Sequence, residues 1–190
     1  MCSFRRRFLG GFPEGSPGEL FSNYTKDYYQ FDRDYRKFYY AYDRVLGDIL
    51  KKLQPVIENL YKNWFLSNLS SVWLKAIKDN LLERWPVPWV DNQKDFYRDT
   101  VKPVIDRQTK EKIFIIISDG LRYEAGEELK EFLDRETRGS TVITAIQSTI
   151  PSYTKLGMAS LLPHEEIEID EKGKVLVDGK DSAGMQARDF

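Results

Sequence analysis

The stretch that decides the fold is Ile113-Phe114-Ile115-Ile116-Ile117-Ser118-Asp119-Gly120, in which an unbroken β-branched and aromatic run meets small and polar residues. Such a run is typical of a strand buried on both faces of a parallel sheet. Residues 141–146 form a second strand candidate, and a helix with an apolar stripe is predicted between the two. The stripe consists of Ala125, Leu129, Phe132 and Leu133. The sequence therefore predicts a β-α-β unit with parallel strands and a right-handed crossover, in the α/β class.

The region before this unit, residues 21–105, is predicted to be helical because apolar side chains recur at spacings of three and four. Pro55 is expected either to kink one long helix or to lie in the first turn of a second. An aromatic set also keeps the helical spacing, and we interpret it as a packing face rather than as a surface that stacks nucleic-acid bases. Its members are Tyr28, Phe31, Tyr35, Phe38 and Tyr42.

The two ends of the chain differ in character. Residues 1–20 combine three arginines (Arg5–Arg7) with several glycines and prolines, which predicts a flexible segment without packed structure. Near the other end, Ile167–Ile169 and Val175–Val177 flank a polar stretch, which predicts a β-hairpin. The predicted division is thus a flexible segment (1–20), a helical region (21–105) and part of an α/β domain (112–190).

Composition excludes several classes of protein. The formal charge is −1, from 29 basic and 30 acidic residues, so the net charge does not favour nucleic acid or an anionic membrane. Direct nucleic-acid binding is left open. No apolar run reaches the length of a membrane span. The single cysteine, Cys2, excludes an internal disulfide and a cysteine-based zinc site, and we expect a cytoplasmic location. With His164 as the single histidine, no site with two histidines can form within these residues.

The chemistry is expected beyond the carboxyl ends of the two strands, where open α/β sheets bind ligands. Asp119 ends the first strand, and Gly120 permits the sharp turn that follows. A carboxylate there suits a divalent metal, and the less favoured alternative is that it caps the next helix. The second strand leads into four hydroxyl residues around Pro151, and either Ser152 or Thr154 is placed to cap the helix that follows. A hydroxyl near a metal also serves as a nucleophile. The four residues are Ser148, Thr149, Ser152 and Thr154.

Several stretches together resemble the PglZ domain, a branch of the alkaline phosphatase superfamily known from BREX phage-defence systems. They are IFIIISDGLRYEAGEEL, TAIQSTIPSYTKLGMASLLPH and VDGKDSAG, and the aromatic lead-in YTKDYYQFDRDYRKFYYAYD resembles the segment that precedes that domain. The resemblance covers about residues 22–188. It implies a partial alkaline-phosphatase-like parallel sheet preceded by a helical region. Gly179, Gly184 and Arg188 match the family's glycine-rich tail motif, whose role cannot be derived from the sequence.

The resemblance also implies roles for individual residues. Asp119 matches the acidic metal ligand at the end of the first strand, and Thr154 matches the hydroxyl that is both nucleophile and metal ligand. A second register makes Thr149 the nucleophile, and we prefer Thr154. The metal implied for the complete domain is zinc, with manganese as an alternative. Because the superfamily completes its metal site with later Asp and His residues, we expect the site in this chain to be incomplete.

The remaining polar residues of these motifs have simpler interpretations. His164 is expected at a helix end rather than on a metal. Arg122 and Glu124 are expected either to reach the phosphate or to form an ion pair near the site, and a salt bridge is the simpler expectation.

Three functions are compatible with this reading. The first is a fragment of a metal-dependent phosphoester hydrolase of a phage-defence system that is not active alone. The second is a non-enzymatic module that docks other phage-defence proteins. A nucleotide-binding domain ranks last, since neither a G-x-G-x-x-G nor a P-loop motif is present. The physiological substrate does not follow from the sequence.

Overall fold

The structure is a computed structural model that describes residues 1–44, 48, 50–78, 85, 87–107 and 112–182. The described chain forms two compact units, Met1–Pro88 with Leu121–Ile143, and Trp89–Gly120 with Thr144–Phe190. In the described ranges, no helix is both long and apolar enough to cross a membrane. The helices are α1 (Cys2–Arg7), α2 (Pro17–Asn23), α3 (Tyr29–Tyr42), α4 (Gln54–Glu58), α5 (Ser67–Ile77), α6 (Lys102–Asp106), α7 (Tyr123–Glu136) and α8 (Thr154–Ala159). The strands are β1 (Ile167–Ile169), β2 (Val175–Val177) and β3 (Lys180–Asp181).

The first unit is built from α1–α5 and α7. Wide π-helical turns at Tyr24–Tyr28 and Asn59–Leu66 join α2 to α3 and α4 to α5 without a break. Pro55 lies in the first turn of α4, where its missing N–H costs nothing, which confirms one of the two predictions for it. The predicted helical character of this region is therefore confirmed where the structure describes it. Positions 45–47, 49, 79–84 and 86 lie outside the described residues.

The core of the first unit is aromatic. Phe31 and Phe65 are fully buried, and their rings stack with centroids 4.4 Å apart. Tyr35 stacks on Tyr61 at 3.6 Å, and Tyr28 is buried in the same cluster. Edge-on and offset ring contacts add directional energy to the burial of apolar area. The aromatic spacing of the lead-in therefore forms a packing face, as predicted.

The prediction of a flexible segment over residues 1–20 is wrong. Residues 2–7 form α1, and Phe4 and Phe12 are buried in the aromatic core. Phe4 lies 5.2 Å from Phe31 and Phe12 lies 4.8 Å from Tyr28, measured between ring centroids. Burying these rings outweighs the local disorder that glycine and proline favour, because each aromatic side chain removes a large apolar area from water.

The predicted helix after Gly120 is confirmed as α7, which packs on α3 in the first unit. The Tyr123 ring meets the Tyr29 ring edge-on at 5.4 Å, and Lys37 pairs with Glu128 at 2.7 Å. The apolar stripe predicted to face a sheet behaves differently. Phe132 of that stripe is half-exposed, because α7 is held to α3 by its polar and aromatic side.

The second unit contains α6, α8 and a small antiparallel sheet in the order β1-β2-β3. Ile167 lies opposite Val177, and Ile169 opposite Val175, which confirms the predicted hairpin. The turn from β2 to β3 contains Asp178 and Gly179, both with positive φ, as two-residue hairpin turns favour. Leu156 and Ala159 of α8 pack on β2, and these contacts form the core of the unit.

The predicted parallel sheet is not shown. Among the described residues, neither Ile113–Ile117 nor residues 141–146 belong to a strand, and the parallel pairing that is present is a single bridge between Asn92 and Gln147. Phe114 and Ile116 are 82% and 91% exposed. A strand buried on both faces needs neighbouring strands and covering helices, and the described chain supplies none to Ile113–Ile117. The observed fold is a helical region with a small three-stranded antiparallel sheet.

Candidate functional site

Asp119 lies in an exposed turn whose shape depends on Gly120. Gly120 has a φ of +72°, the left-handed region that a residue with a side chain enters at a cost. The helix that follows begins with Arg122 as its N-cap, so Asp119 is not the helix cap that its position also allowed. Among the described residues, Asp119 has no hydrogen bond or ion pair. Its carboxylate is therefore available to a ligand from solution.

Thr154 is the first residue of α8 and is exposed. The N-cap of this helix is Tyr153, and no side chain caps it, so neither Ser152 nor Thr154 acts as the cap that the sequence allowed. In the part of the chain that the structure describes, the Thr154 hydroxyl makes no hydrogen bond. A hydroxyl without a structural partner is free to contact a ligand.

A cavity of about 340 Å³ brings the two motif segments together. Thr154 lines it from α8, and Ile117, two residues before Asp119, lines it from the other segment. The polar groups of the lining are Thr154, Lys155 and Ser182, and the apolar ones are Ile117, Met158, Ala159 and Leu162. The volume lies at the lower end of the range for small-molecule sites. The end of the first predicted strand and the start of α8 thus line one cavity, and Asp119 is not among its lining residues.

Thr149, the alternative nucleophile, is placed differently. Its hydroxyl oxygen is buried and has no hydrogen-bond partner among the described residues. A buried hydroxyl without a partner carries a desolvation cost and is not reached by a substrate from solution without rearrangement. Exposure therefore favours Thr154 over Thr149 as the group that meets a ligand.

The donor groups at this site are of the right type for a divalent metal but few. The Asp119 carboxylate and the Thr154 hydroxyl are oxygen donors of the kind that zinc and manganese accept. Within the described ranges, no group of three or more His, Cys, Asp or Glu side chains is arranged to hold a metal ion. A metal held by Asp119 and Thr154 would need further ligands.

Arg122 and Glu124 belong to the first unit rather than to the cavity. Glu124 is 1% exposed, and its carboxylate lies 3.9 Å from the Arg36 Nε atom of α3. Burial and the nearby Asp32 raise the pKa of Tyr61. Arg122 lies close enough to the Tyr61 hydroxyl to oppose that rise. Glu124 thus forms an ion pair, but with Arg36 of α3 in the first unit rather than near the predicted site.

His164 has a local role after α8. Its Nδ1 atom lies 2.7 Å from the Leu162 carbonyl oxygen, so Nδ1 carries the proton and donates the hydrogen bond. This agrees with the expectation that His164 lies near a helix end. The imidazole ring also lines a second cavity of about 680 Å³, whose other lining residues include both cationic and carboxylate side chains.

Two groups at or near the site were missed by sequence reasoning. Lys155 lines the Thr154 cavity, yet a lysine next to a predicted nucleophile gives no signal by itself. Asp178 accepts hydrogen bonds from the backbone N–H groups of Glu166 and Glu165, at 2.8 and 3.0 Å, and these lower the pKa of its carboxyl. The Asp-Gly pair between two short strands was the available signal for this turn. Gly179 of the tail motif lies in it, whereas Gly184 and Arg188 lie outside the described residues.

Comparison with known proteins assigns the chain to a class and then to a family. Residues 96–190 match the family of the BREX system PglZ alkaline phosphatase-like domain. The class is thus alkaline phosphatase-like. The chain belongs to the PglZ family, which confirms the resemblance of the motifs around Asp119 and Thr154.

Two curated relatives extend the match over the remaining residues. The chain is 38% identical over 176 residues to the alkaline phosphatase-like protein PglZ of Bacillus cereus (strain H3081.97), covering 92% of this chain and 20% of the relative. It is 35% identical over 195 residues to the alkaline phosphatase-like protein BrxZ of Escherichia coli O9:H4 (strain HS), covering 100% of this chain and 22% of the relative. The chain therefore spans about a fifth of the length of these relatives. No solved structure matches it.

Proposed function

We propose that this chain supplies Asp119 and Thr154 to the site of a metal-dependent phosphoester hydrolase of a phage-defence system, and that these residues alone do not complete that site. One observation carries the proposal. Ile117, which lies two residues before Asp119, lines the same cavity as Thr154. The free hydroxyl of Thr154 and the unpaired carboxylate of Asp119 add support, as does membership of an alkaline phosphatase-like family.

The proposed reaction is a two-step phosphoryl transfer through Thr154. The Thr154 hydroxyl gives its proton to water as its oxygen forms a bond to phosphorus, the bond to the ester oxygen breaks, and the departing alkoxide takes a proton from water to leave as the alcohol. A water molecule then attacks the phosphothreonine, which restores the hydroxyl and releases phosphate. A divalent metal, zinc or manganese, would neutralise phosphoryl charge and lower the pKa of the hydroxyl. Asp119 and Thr154 are the residues of this chain that would hold it.

We also propose that the complete domain contains the predicted parallel sheet and that the protein is cytoplasmic. In the complete domain, Ile113–Ile117 would be an inner strand, which would cover the side chains of Phe114 and Ile116 that are exposed here. Amide hydrogen exchange checks this. Residues 113–117 should exchange rapidly in the 190-residue chain, and the aligned segment should exchange slowly in the full-length Bacillus cereus relative. Rapid exchange in both proteins would contradict the buried-strand assignment.

The nucleophile is tested on that relative with p-nitrophenyl phosphate and zinc or manganese. Replacing the residue aligned with Thr154 by alanine should abolish hydrolysis and leave the melting temperature unchanged. The matched control is alanine at the residue aligned with Thr149, which should retain activity. Loss of activity in the second variant alone would transfer the role to Thr149.

A second candidate is a docking module for other phage-defence proteins, favoured by the exposed apolar side chains of Ile113–Ile117. Isothermal titration of the 190-residue chain with zinc and manganese distinguishes the two. Weak binding that Asp119→Asn removes supports the hydrolase fragment. No binding of either metal favours the docking module, and tight 1:1 binding refutes an incomplete site.

A further inference from the structure

The Thr154 cavity differs in charge from the second cavity of the same unit. Among the residues that line the Thr154 cavity, Lys155 is charged and no carboxylate is present. The second cavity is lined by Lys94, Arg98 and Lys102 together with Asp95, Glu165 and Asp178, which balance in formal charge. Arg98 and Lys102 are also already paired, with Asp95 at 3.0 Å and Asp106 at 3.0 Å. Of these two cavities, the Thr154 cavity is the one whose charge favours an anion.

Lys155 is free to serve that anion. In the described ranges it has no hydrogen bond or ion pair, and it is exposed. A lysine ammonium is a mobile point charge with three donors, well suited to phosphoryl oxygens. Ser182 is less free, since its hydroxyl donates to the Val175 carbonyl oxygen at 2.9 Å, although the oxygen can still accept a hydrogen bond.

The other side of the cavity is apolar. Ile117, Met158, Ala159 and Leu162 contribute aliphatic and thioether groups to the lining. Methionine sulfur packs favourably against aromatic rings. A second phosphate or a sugar placed against these side chains would lose water without gaining hydrogen bonds, at a cost in free energy. These side chains therefore favour an apolar group.

We propose that Lys155 binds the phosphoryl group beside Thr154, and that Ile117, Met158 and Leu162 contact the rest of the ligand. The substrate class is then a singly phosphorylated ester with an apolar or aromatic leaving group, rather than a polyphosphate or a sugar phosphate. This inference rests on the phosphoester chemistry proposed for Thr154. It adds a specificity residue and a ligand class to that proposal.

The test measures binding, so that it does not depend on turnover. Phenyl phosphate is titrated into the Thr154→Ala form of the 190-residue chain and followed by phosphorus NMR. Lys155→Ala in this background should weaken binding about tenfold, which corresponds to the loss of about 1.4 kcal/mol for one charged hydrogen bond. Lys155→Arg should retain most of the affinity, and Lys102→Ala, which alters the second cavity, should leave it unchanged.

A second comparison tests the apolar wall. Phenyl phosphate should bind more tightly than inorganic phosphate, and Met158→Ala should reduce this preference by about threefold or more, since part of one apolar contact is lost. Equal weakening by Lys155→Ala and Lys102→Ala, or no binding of phenyl phosphate, would overturn the inference. Hydrolysis by the Bacillus cereus relative is a separate measurement, so the proposed function can stand if Lys155 fails. Conversely, specific binding would support Lys155 even if no hydrolysis were found.

Discussion

The ion pair between Glu124 and Arg36 allows a quantitative prediction about the first unit. At 3.9 Å, two opposite charges attract by about 4 kcal/mol at an effective dielectric constant of about 20. Arg36 is 44% exposed, so solvent screening reduces this to about 2 kcal/mol. Arg36→Met keeps the aliphatic stem but leaves the buried Glu124 carboxylate without its cation, and it also removes the pair between Arg36 and the less buried Glu128, for which Lys37 remains as a partner. The expected loss is about 2 kcal/mol in the free energy of unfolding, or about 4–8 °C in melting temperature.

The double variant tests whether the loss of stability comes from the unpaired charge of Glu124. Glu124→Gln alone should change stability by about 1 kcal/mol or less, because it removes the charge and keeps the shape. Arg36→Met combined with Glu124→Gln should then recover at least half of the loss. Urea unfolding followed by circular dichroism measures all three, with Lys37→Met as a control that alters an exposed pair with Glu128 and should cost about 0.5 kcal/mol or less. Equal stability of the single Arg36 variant and the double variant would refute an electrostatic role for the pair.

Three further predictions concern stability. Phe65→Ala removes a fully buried ring and should cost about 3–5 kcal/mol in urea unfolding, whereas a loss below about 1 kcal/mol would contradict its central position. The Lys62 ammonium and then two tyrosine hydroxyls lower the pKa of Glu58 to about 2, so its stabilisation is complete above pH 4.5 and is lost as pH falls towards 2. Glu58→Gln should therefore flatten the decline in melting temperature between pH 4.5 and 2, and an unchanged slope would count against the shift. Gly120→Ala should cost about 1 kcal/mol through its positive φ alone, since no atom lies within 4 Å of the added carbon, while Gly10→Ala, equally open, should cost less.

Local patterns predicted local structure well. The spacing of Tyr28, Phe31 and Tyr35 indicated a helix with an aromatic packing face, and the alternation around 170–174 indicated the hairpin of β1 and β2. Both depend on contacts close in sequence, for which periodicity is informative. The burial of Phe4 and Phe12 was missed because their partners, Phe31 and Tyr28, are distant in sequence and leave no periodic signal across the glycine-rich stretch.

Part of the candidate site could be predicted from the sequence, and part of it could not. The roles expected for Asp119 and Thr154 follow from predicted strands, which the described structure does not show, and from family resemblance. Both side chains are free of structural partners among the described residues. The burial of Glu124 was not predictable from the sequence, because either the apolar stripe or the polar face of α7 could have packed against the rest of the protein. The lining of the Thr154 cavity also required the structure, since Ile117, Lys155 and Ser182 are distant in sequence.

The attachment of α7 to α3 has a consequence for how this protein can be divided. The segment that matches the PglZ family begins at residue 96, yet α7 within it buries Glu124 and packs Tyr123 against rings that come from residues 24 and 29. A gene cut at residue 96 would encode an α7 stripped of its cation and its aromatic neighbours. Chimeras between relatives should therefore take the lead-in and α7 from the same relative. A junction between these two segments would bring residues of different proteins together in the contact between α3 and α7.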